Sequence, residues 1–163
     1  MGELYFKDNF FNAGLTDIMD AEGNRMGEID LHGMFGSKLT VHGRDGRLEC
    51  EGRFRFFRWH VEDGSGRPLG VLRNRMSFLK KRYEYDAGKN GVYEIISPAF
   101  SREYTITDES GAVAAKFNKI SGWLQSGAFH LVNHSGRLGD YELVAVVMGV
   151  HELRKRENNS AAT

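Results

Sequence analysis

Basic side chains are dense in the middle third of the chain, in segments that alternate polar and apolar residues as strands do. The turn DGSGRP would make two arginine-bearing segments partners in one hairpin. The cations are Arg53, Arg55 and Arg58 before the turn, Arg73 and Arg75 after it, and Lys80, Lys81 and Arg82 just beyond. Such a surface could hold lipid phosphates, each cation contributing about 1 kcal/mol. Alternatively, these are solvated outer strand positions that Glu49, Glu51 and Glu84 neutralise.

Histidines and carboxylates do not predict a metal site. A metal ion needs three or four converging ligands. His130 and His134 are four residues apart, which separates them by about 13 Å along a strand. The other histidines, His32, His42, His60 and His151, are scattered along the chain.

The candidate nucleophiles do not form a catalytic pattern either. Ser65 lies in GSG and Ser121 in ISG, and neither matches the G-x-S-x-G of a nucleophile elbow. Cys50 alternates to the inner face of its strand, which predicts a small buried apolar side chain. We therefore expect a non-enzyme that needs no cofactor.

Composition limits the partner and the compartment. The chain has 163 residues, enough for one domain, and its 22 basic and 22 acidic residues give a formal net charge of zero. Nucleic-acid-binding domains are usually basic, so no nucleic-acid partner is expected. A single cysteine excludes an intramolecular disulfide, and no signal peptide is recognisable at the start. These features predict a cytoplasmic protein.

A repeated hairpin pattern must position these side chains. Short alternating segments flank polar turns whose glycines recur every 20 to 25 residues, at Gly23, Gly46, Gly66, Gly88, Gly111 and Gly136. One face of the segment LECEGRFRF carries Leu48, Cys50, Gly52, Phe54 and Phe56. About twelve strands result, and their apolar inner face favours a closed antiparallel β-barrel.

The segment YELVAVVMGVHELRKRE, residues 141–157, departs from this pattern. We predict a helix over 140–156, with Asp140 as its N-cap and a basic last turn. Its apolar run of eight residues is too short to cross a membrane, which takes about 20. Because the run is apolar on every face, it needs a surrounding wall. We therefore place Leu143, Val146, Val147 and Val150 on the barrel axis, which leaves no room for a ligand inside.

The order of hairpins and the apolar final helix resemble the LURP-one-related proteins of the Tubby-like C-terminal superfamily. The resemblance covers about residues 3–156 and rests on the repeated pattern aromatic–x–x–Lys/Arg–Tyr/Leu–x–Ile/Val–x–Asp–x–x–Gly together with YELVAVVMGVHELRK. It implies a twelve-stranded barrel around a central hydrophobic helix. Tubby domains bind phosphoinositide head groups, and the related scramblases act at membranes. The resemblance transfers no ligand residue to a position of this chain.

These observations lead to one expectation for function and two alternatives. We expect residues 1–157 to form a LURP-one/Tubby-like barrel domain, followed by a disordered tail at 158–163. The domain is expected to bind anionic phospholipid head groups, or a membrane-associated partner, through its basic outer face. It would lie in the cytoplasm and reach the membrane peripherally. A protein scaffold and, less favoured, a small-molecule carrier are the alternatives.

Overall fold

Twelve antiparallel strands, one α-helix and a short 3-10 helix at Gly88–Asn90 make up the regular structure of the described residues. The computed structural model describes residues 2–12, 14–32, 37–75, 81–98, 101–122 and 127–161. The elements are β1 (Glu3–Lys7), β2 (Gly14–Met19), β3 (Arg25–His32), β4 (Lys38–Gly43), β5 (Leu48–Arg55), β6 (Arg58–Asp63), β7 (Pro68–Arg75), β8 (Lys81–Asp86), β9 (Val92–Ser97), β10 (Tyr104–Thr107), β11 (Val113–Ile120), β12 (Ala128–Asn133) and α1 (Asp140–Ala161).

The strands close into a barrel in sequence order, which confirms the predicted fold class. Each strand pairs with its neighbours along the chain. β1 closes the barrel: it pairs with β12 from Glu3↔Val132 to Lys7↔Ala128, and with β2 at Tyr5↔Met19. Closure leaves none of the described strands with an unpaired sheet edge.

Turn chemistry explains the hairpins. Gly23, Gly46, Gly66 and Gly111 have φ between 79° and 85°, a left-handed conformation that glycine adopts without a side-chain clash. In three of these turns an Asp side chain accepts backbone N–H bonds from two and four residues further on, at 2.8–3.0 Å. Gly136 instead lies between β12 and α1.

The apolar part of α1 fills the barrel, as its pattern predicts. Leu143, Val146, Val147 and Val150 are at most 1% exposed. The ring of Trp59 on β6 lies directly against Gly149, and its Nε1 donates to the carbonyl oxygen of Ala145 at 3.0 Å. The β-branched valines are poor helix formers, and burial on every side compensates for that weakness.

α1 begins at Asp140, as the predicted range does, but its N-cap residue and its last residue differ from the predictions. Gly139, not Asp140, is the N-cap: its carbonyl oxygen accepts from the Leu143 N–H at 3.0 Å, and its own N–H donates to Glu142 Oε2 at 3.2 Å. Asp140 Oδ1 accepts instead from Asn133 Nδ2 at 2.7 Å. At the other end the helix extends to Ala161, so residues 158–161 of the predicted tail are helical.

Candidate functional site

The two ends of the barrel carry different connections. The Asp- and Gly-containing turns and the start of α1 lie at one end. At the other end β5, β7 and β9 finish and α1 leaves the barrel; we call this the exit end. Arg154 marks it, because its Nη1 donates to Oγ of Ser97, the last residue of β9, at 2.8 Å.

Most of the predicted basic surface is paired with carboxylates. Arg53 pairs with Glu51, and Arg73 pairs with Glu84 across the β7–β8 register. The remaining pairs are Arg75–Glu84 at 3.3 Å, Lys81–Glu157 at 2.9 Å and Arg82–Glu94 at 3.3 Å. The basic members of these pairs lie on β5 and on the adjacent strands β7 and β8, and β6 separates β5 from β7. Lys80 lies outside the described residues.

Arg55 and Arg58 differ from that group. They face each other as the last register pair of β5 and β6, and neither forms an ion pair within the described part of the chain. Between them lie Phe56 and Phe57, which are 83% and 89% exposed. The assignment of Phe56 to the inner face was wrong, because β5 ends at Arg55 and Phe56 is a turn residue.

A groove beside the emerging helix concentrates positive charge. Its volume is about 470 Å³, and its wall is formed by Phe11, Asn12, Ser101, Arg102, His151, Arg154, Lys155, Asn158 and Asn159. We call it the basic groove. Arg102, Arg154 and Lys155 supply three cations, and no carboxylate is among the described residues of the wall. Side-chain amides and a hydroxyl complete a set of groups that an anion can use.

Neighbouring groups hold two of these cations. Arg154 donates to Ser97 Oγ and to the Ser101 backbone carbonyl. The Arg102 guanidinium lies 5.4 Å from the centroid of the Phe11 ring. Lys155 is exposed and makes no ion pair with any described residue. The groove therefore combines two positioned guanidinium groups with a lysine that is free to meet a ligand.

His151 lies at the inner wall of the groove, where its ring centroid is 4.0 Å from that of Phe11. Burial lowers the pKa of His151 to about 4, and the charges of Arg102, Lys155 and Arg154 act in the same direction. The imidazole is therefore neutral at pH 7 and can both donate and accept one hydrogen bond.

Glu152, the next residue, points into the core. It is fully buried, and neither of its carboxyl oxygens has a hydrogen-bond partner among the described residues. Burial raises the pKa of this carboxyl, against the opposing charges of Lys155 and Arg156. Burial therefore favours the protonated form of Glu152.

The other candidate residues lie apart from the groove. Cys50 is buried on the inner face, as predicted, and its Sγ donates to the Tyr141 carbonyl oxygen at 3.0 Å. Burial raises the pKa of this thiol, which disfavours the nucleophilic thiolate. Within the described ranges no three His, Cys, Asp or Glu side chains are placed to hold a metal ion. No described helix is long and apolar enough to cross a membrane.

The sequence alone carried a weak signal for the groove. RKR at 154–156 indicates a favourable helix end, and no local pattern distinguishes Arg102 from the other arginines. The groove joins side chains from the β1–β2 connection, the β9–β10 connection and α1, such as Phe11, Ser101 and Lys155. Only the barrel's closure brings these segments together.

One solved structure resembles the fold. It is the X-ray structure of a protein from Arabidopsis thaliana, with a TM-score of 0.65 and 14% sequence identity over 94% of this chain and 91% of that one. At this identity the likeness concerns the fold. No protein-family model matches the sequence, and no curated protein matches it.

Proposed function

We propose that this chain is a non-catalytic intracellular module that binds anionic phospholipid head groups in the basic groove. One observation carries the proposal: Arg102, Arg154 and Lys155 line a single cavity whose described wall contains no carboxylate. Three cations near an anionic surface contribute on the order of 3 kcal/mol, or roughly 100-fold in binding.

The groove suits this role better than the outer surface of β5, β7 and β8. There, Arg53, Arg73 and Arg82 are paired with carboxylates, so a phosphate must displace a partner that is already present. In the basic groove Lys155 has no such partner among the described residues. The proposal therefore moves the predicted binding site from the strand faces to the exit end.

The interior of the barrel argues against a small-molecule carrier. Lipocalin-like barrels hold their ligand in an internal cavity. Here α1 occupies that volume, with Val144, Val146 and Val147 each at most 1% exposed. Binding is therefore proposed for the surface.

The family assignment and the compartment belong to the same proposal. The hairpin order, the buried final helix and the likeness to the Arabidopsis fold support membership of the LURP-one-related group. The buried free thiol of Cys50 fits a reducing compartment such as the cytoplasm. The protein would then reach membranes from the cytoplasmic side as a peripheral protein.

Vesicle co-sedimentation tests the groove. We expect binding to phosphatidylcholine vesicles only when phosphatidylserine or a phosphoinositide is added, and weaker binding at high salt because exposed charges are screened. The double variant Arg102→Glu with Lys155→Glu should lose at least 100-fold in binding.

Lys89 provides the matched control. It is exposed in the turn between β8 and β9, at the opposite end of the barrel, and pairs with no acid among the described residues. Lys89→Glu makes the same charge reversal as Lys155→Glu and should leave vesicle binding unchanged. Equal losses in both variants would show that only overall charge matters. If the parent protein binds none of the anionic vesicles, the proposed function is refuted.

A further inference from the structure

The tip of the β5–β6 hairpin is an unusual turn. Arg55 pairs with Arg58, which leaves Phe56 and Phe57 as a two-residue loop with φ of 52° and 62°. Two positive φ values are typical of a type I′ turn, where Asn and Gly are preferred. In this conformation the Cβ of other residues is crowded against the backbone. Two adjacent phenylalanines are therefore an unfavourable choice for the turn itself.

Packing against the described residues does not explain them. Large exposed hydrophobic side chains are few among the described residues: Leu15, Phe56, Phe57 and Val113. Phe56 and Phe57 are the most exposed of these, and they are adjacent. Single exposed apolar residues are ordinary, but a contiguous aromatic tip indicates a surface that something else covers.

The tip is continuous with the basic groove. A shallow cavity of about 320 Å³ joins Phe54 and Phe57 to Lys155, Arg156 and Asn159 of α1. Lys155 and Asn159 also line the basic groove, so the aromatic tip and the groove flank the same stretch of the emerging helix. Any surface that covers the tip also approaches the cations of the groove.

We propose that Phe56 and Phe57 form a wedge that inserts into the interfacial layer of an anionic bilayer, while Arg55 and Arg58 contact lipid phosphates at its rim. The inference rests on the proposed function, since it takes the surface that occupies the basic groove to be a membrane. It adds a second contact of a different kind, because the wedge acts by apolar burial and the groove by charge.

Charge and size favour a bilayer over a protein partner. Aromatic rings with arginines beside them suit the boundary between hydrocarbon and phosphate, where the guanidinium can reach the head groups. A stable protein interface buries about 800 Å² on each partner. Two phenylalanine rings expose roughly 300–400 Å² in total, which is too little for that but enough to anchor in lipid.

The decisive variant replaces the wedge and keeps the turn. Phe56→Asn with Phe57→Gly installs the sequence that a type I′ turn prefers, so the barrel should be at least as stable as the parent in thermal unfolding. Because this variant has no phenylalanine rings to bury in lipid, its vesicle binding should be weaker than that of the parent by a factor on the order of 100. Val113→Ser, at the turn end of β11, removes another exposed apolar residue and should leave binding unchanged.

Salt separates the wedge from the groove. High salt screens the groove cations, but apolar insertion does not depend on that attraction. The ratio of parent to Asn–Gly variant binding should therefore stay constant as salt rises, while the ratio of parent to Arg102→Glu/Lys155→Glu binding should shrink.

Fluorescence reports insertion directly. The emission of a Phe57→Trp variant should shift to the blue on anionic vesicles and be quenched by brominated lipid, relative to the parent under the same conditions. Three results would overturn the wedge: vesicle binding by the Asn–Gly variant equal to the parent's, no spectral shift, or self-association of the parent that the Asn–Gly variant abolishes. If the groove variant loses binding but the Asn–Gly variant does not, the wedge fails and the proposed function stands.

Discussion

His151 lies where the barrel core meets the basic groove, and both surroundings lower its pKa. Burial disfavours the imidazolium, and Arg102, Lys155 and Arg154 repel it. The folded state therefore resists protonation that the unfolded chain accepts near pH 6.5. The stability contribution of His151 is complete above pH 6.5 and is lost as the pH falls towards about 4.

Glu152 contributes to the pH dependence of stability with the opposite sign to His151. Its pKa is raised by burial, so the folded state holds its proton more tightly than the unfolded chain does. This contribution is present below the unfolded pKa of the carboxyl and declines as the pH rises through the raised folded pKa. Adjacent residues of α1 therefore respond oppositely to acid.

We predict that His151→Phe reduces acid destabilisation. The variant keeps a ring against Phe11 and cannot be protonated. Between pH 7 and pH 4.5 the parent should lose about 2–3 kcal/mol more of its free energy of unfolding than the variant loses. Urea unfolding at the two pH values measures the difference. His134→Phe, at an exposed position, is the control, and identical pH profiles for parent and His151→Phe would contradict the assignment.

We also predict that a bound anion raises the pKa of His151. A phosphate among Arg102, Lys155 and Arg154 would offset the repulsion that disfavours the imidazolium. The His151 imidazole NMR resonance, titrated with and without an inositol phosphate, should show a pKa above its value of about 4 in the free protein. An unchanged titration in the presence of bound ligand would place the anion elsewhere.

At the scale of the element, α1 depends on one close contact with the wall. The Trp59 ring lies between Gly52 of β5 and Gly149 of α1, where a Cβ would come within 2.4 and 2.3 Å of ring atoms. The ring also bonds to the Ala145 carbonyl oxygen. Glycine in mid-helix normally costs about 1 kcal/mol relative to alanine, so its presence here reflects the space the ring needs.

We predict that Gly149→Ala destabilises the protein in spite of the better helix propensity of alanine. The new methyl group must displace the buried Trp59 ring, and such overpacking costs about 1–3 kcal/mol. Urea unfolding should give a lower free energy for this variant. Gly136→Ala, where nothing lies within 4 Å of the added Cβ, should be neutral. If Gly149→Ala instead raises the free energy of unfolding, α1 can move away from the Trp59 ring without a loss of stability.

At the scale of the molecule, barrel and helix form one cooperative unit. The barrel supplies the wall that an all-apolar helix needs, and the helix fills an interior that would otherwise be empty. We predict that Val147→Asp prevents folding, since it places an unpaired carboxylate in this interior. Circular dichroism and size-exclusion chromatography of the purified variant test this.

Asn158→Asp is the control on the exposed part of α1, and it should fold normally. A folded, soluble Val147→Asp variant would contradict the enclosure of the helix. Both substitutions introduce an Asp side chain into α1, which is buried at position 147 and exposed at position 158.

Local chemistry in the sequence determined much of the fold. Apolar–polar alternation and the Asp and Gly turns specify the hairpins, and the run around Val147 requires enclosure because no side of it tolerates water. Local pattern did not determine the N-cap of α1 at Gly139 or the end of β5 before Phe56. Which residue accepts the first helical bond, or occupies a hairpin tip, depends on strand register as well as on residue type.

Only the tertiary structure decided which cations have acidic partners. Arg73 and Glu84 are eleven residues apart and meet through the β7–β8 register, whereas Arg102 and Lys155 meet because the closed barrel brings the β9–β10 connection against the emerging helix. The sequence by itself therefore determined the barrel, its central helix and the lack of internal space. The location of the unneutralised charge and of the exposed aromatic tip followed from contacts between distant segments, which local patterns do not encode.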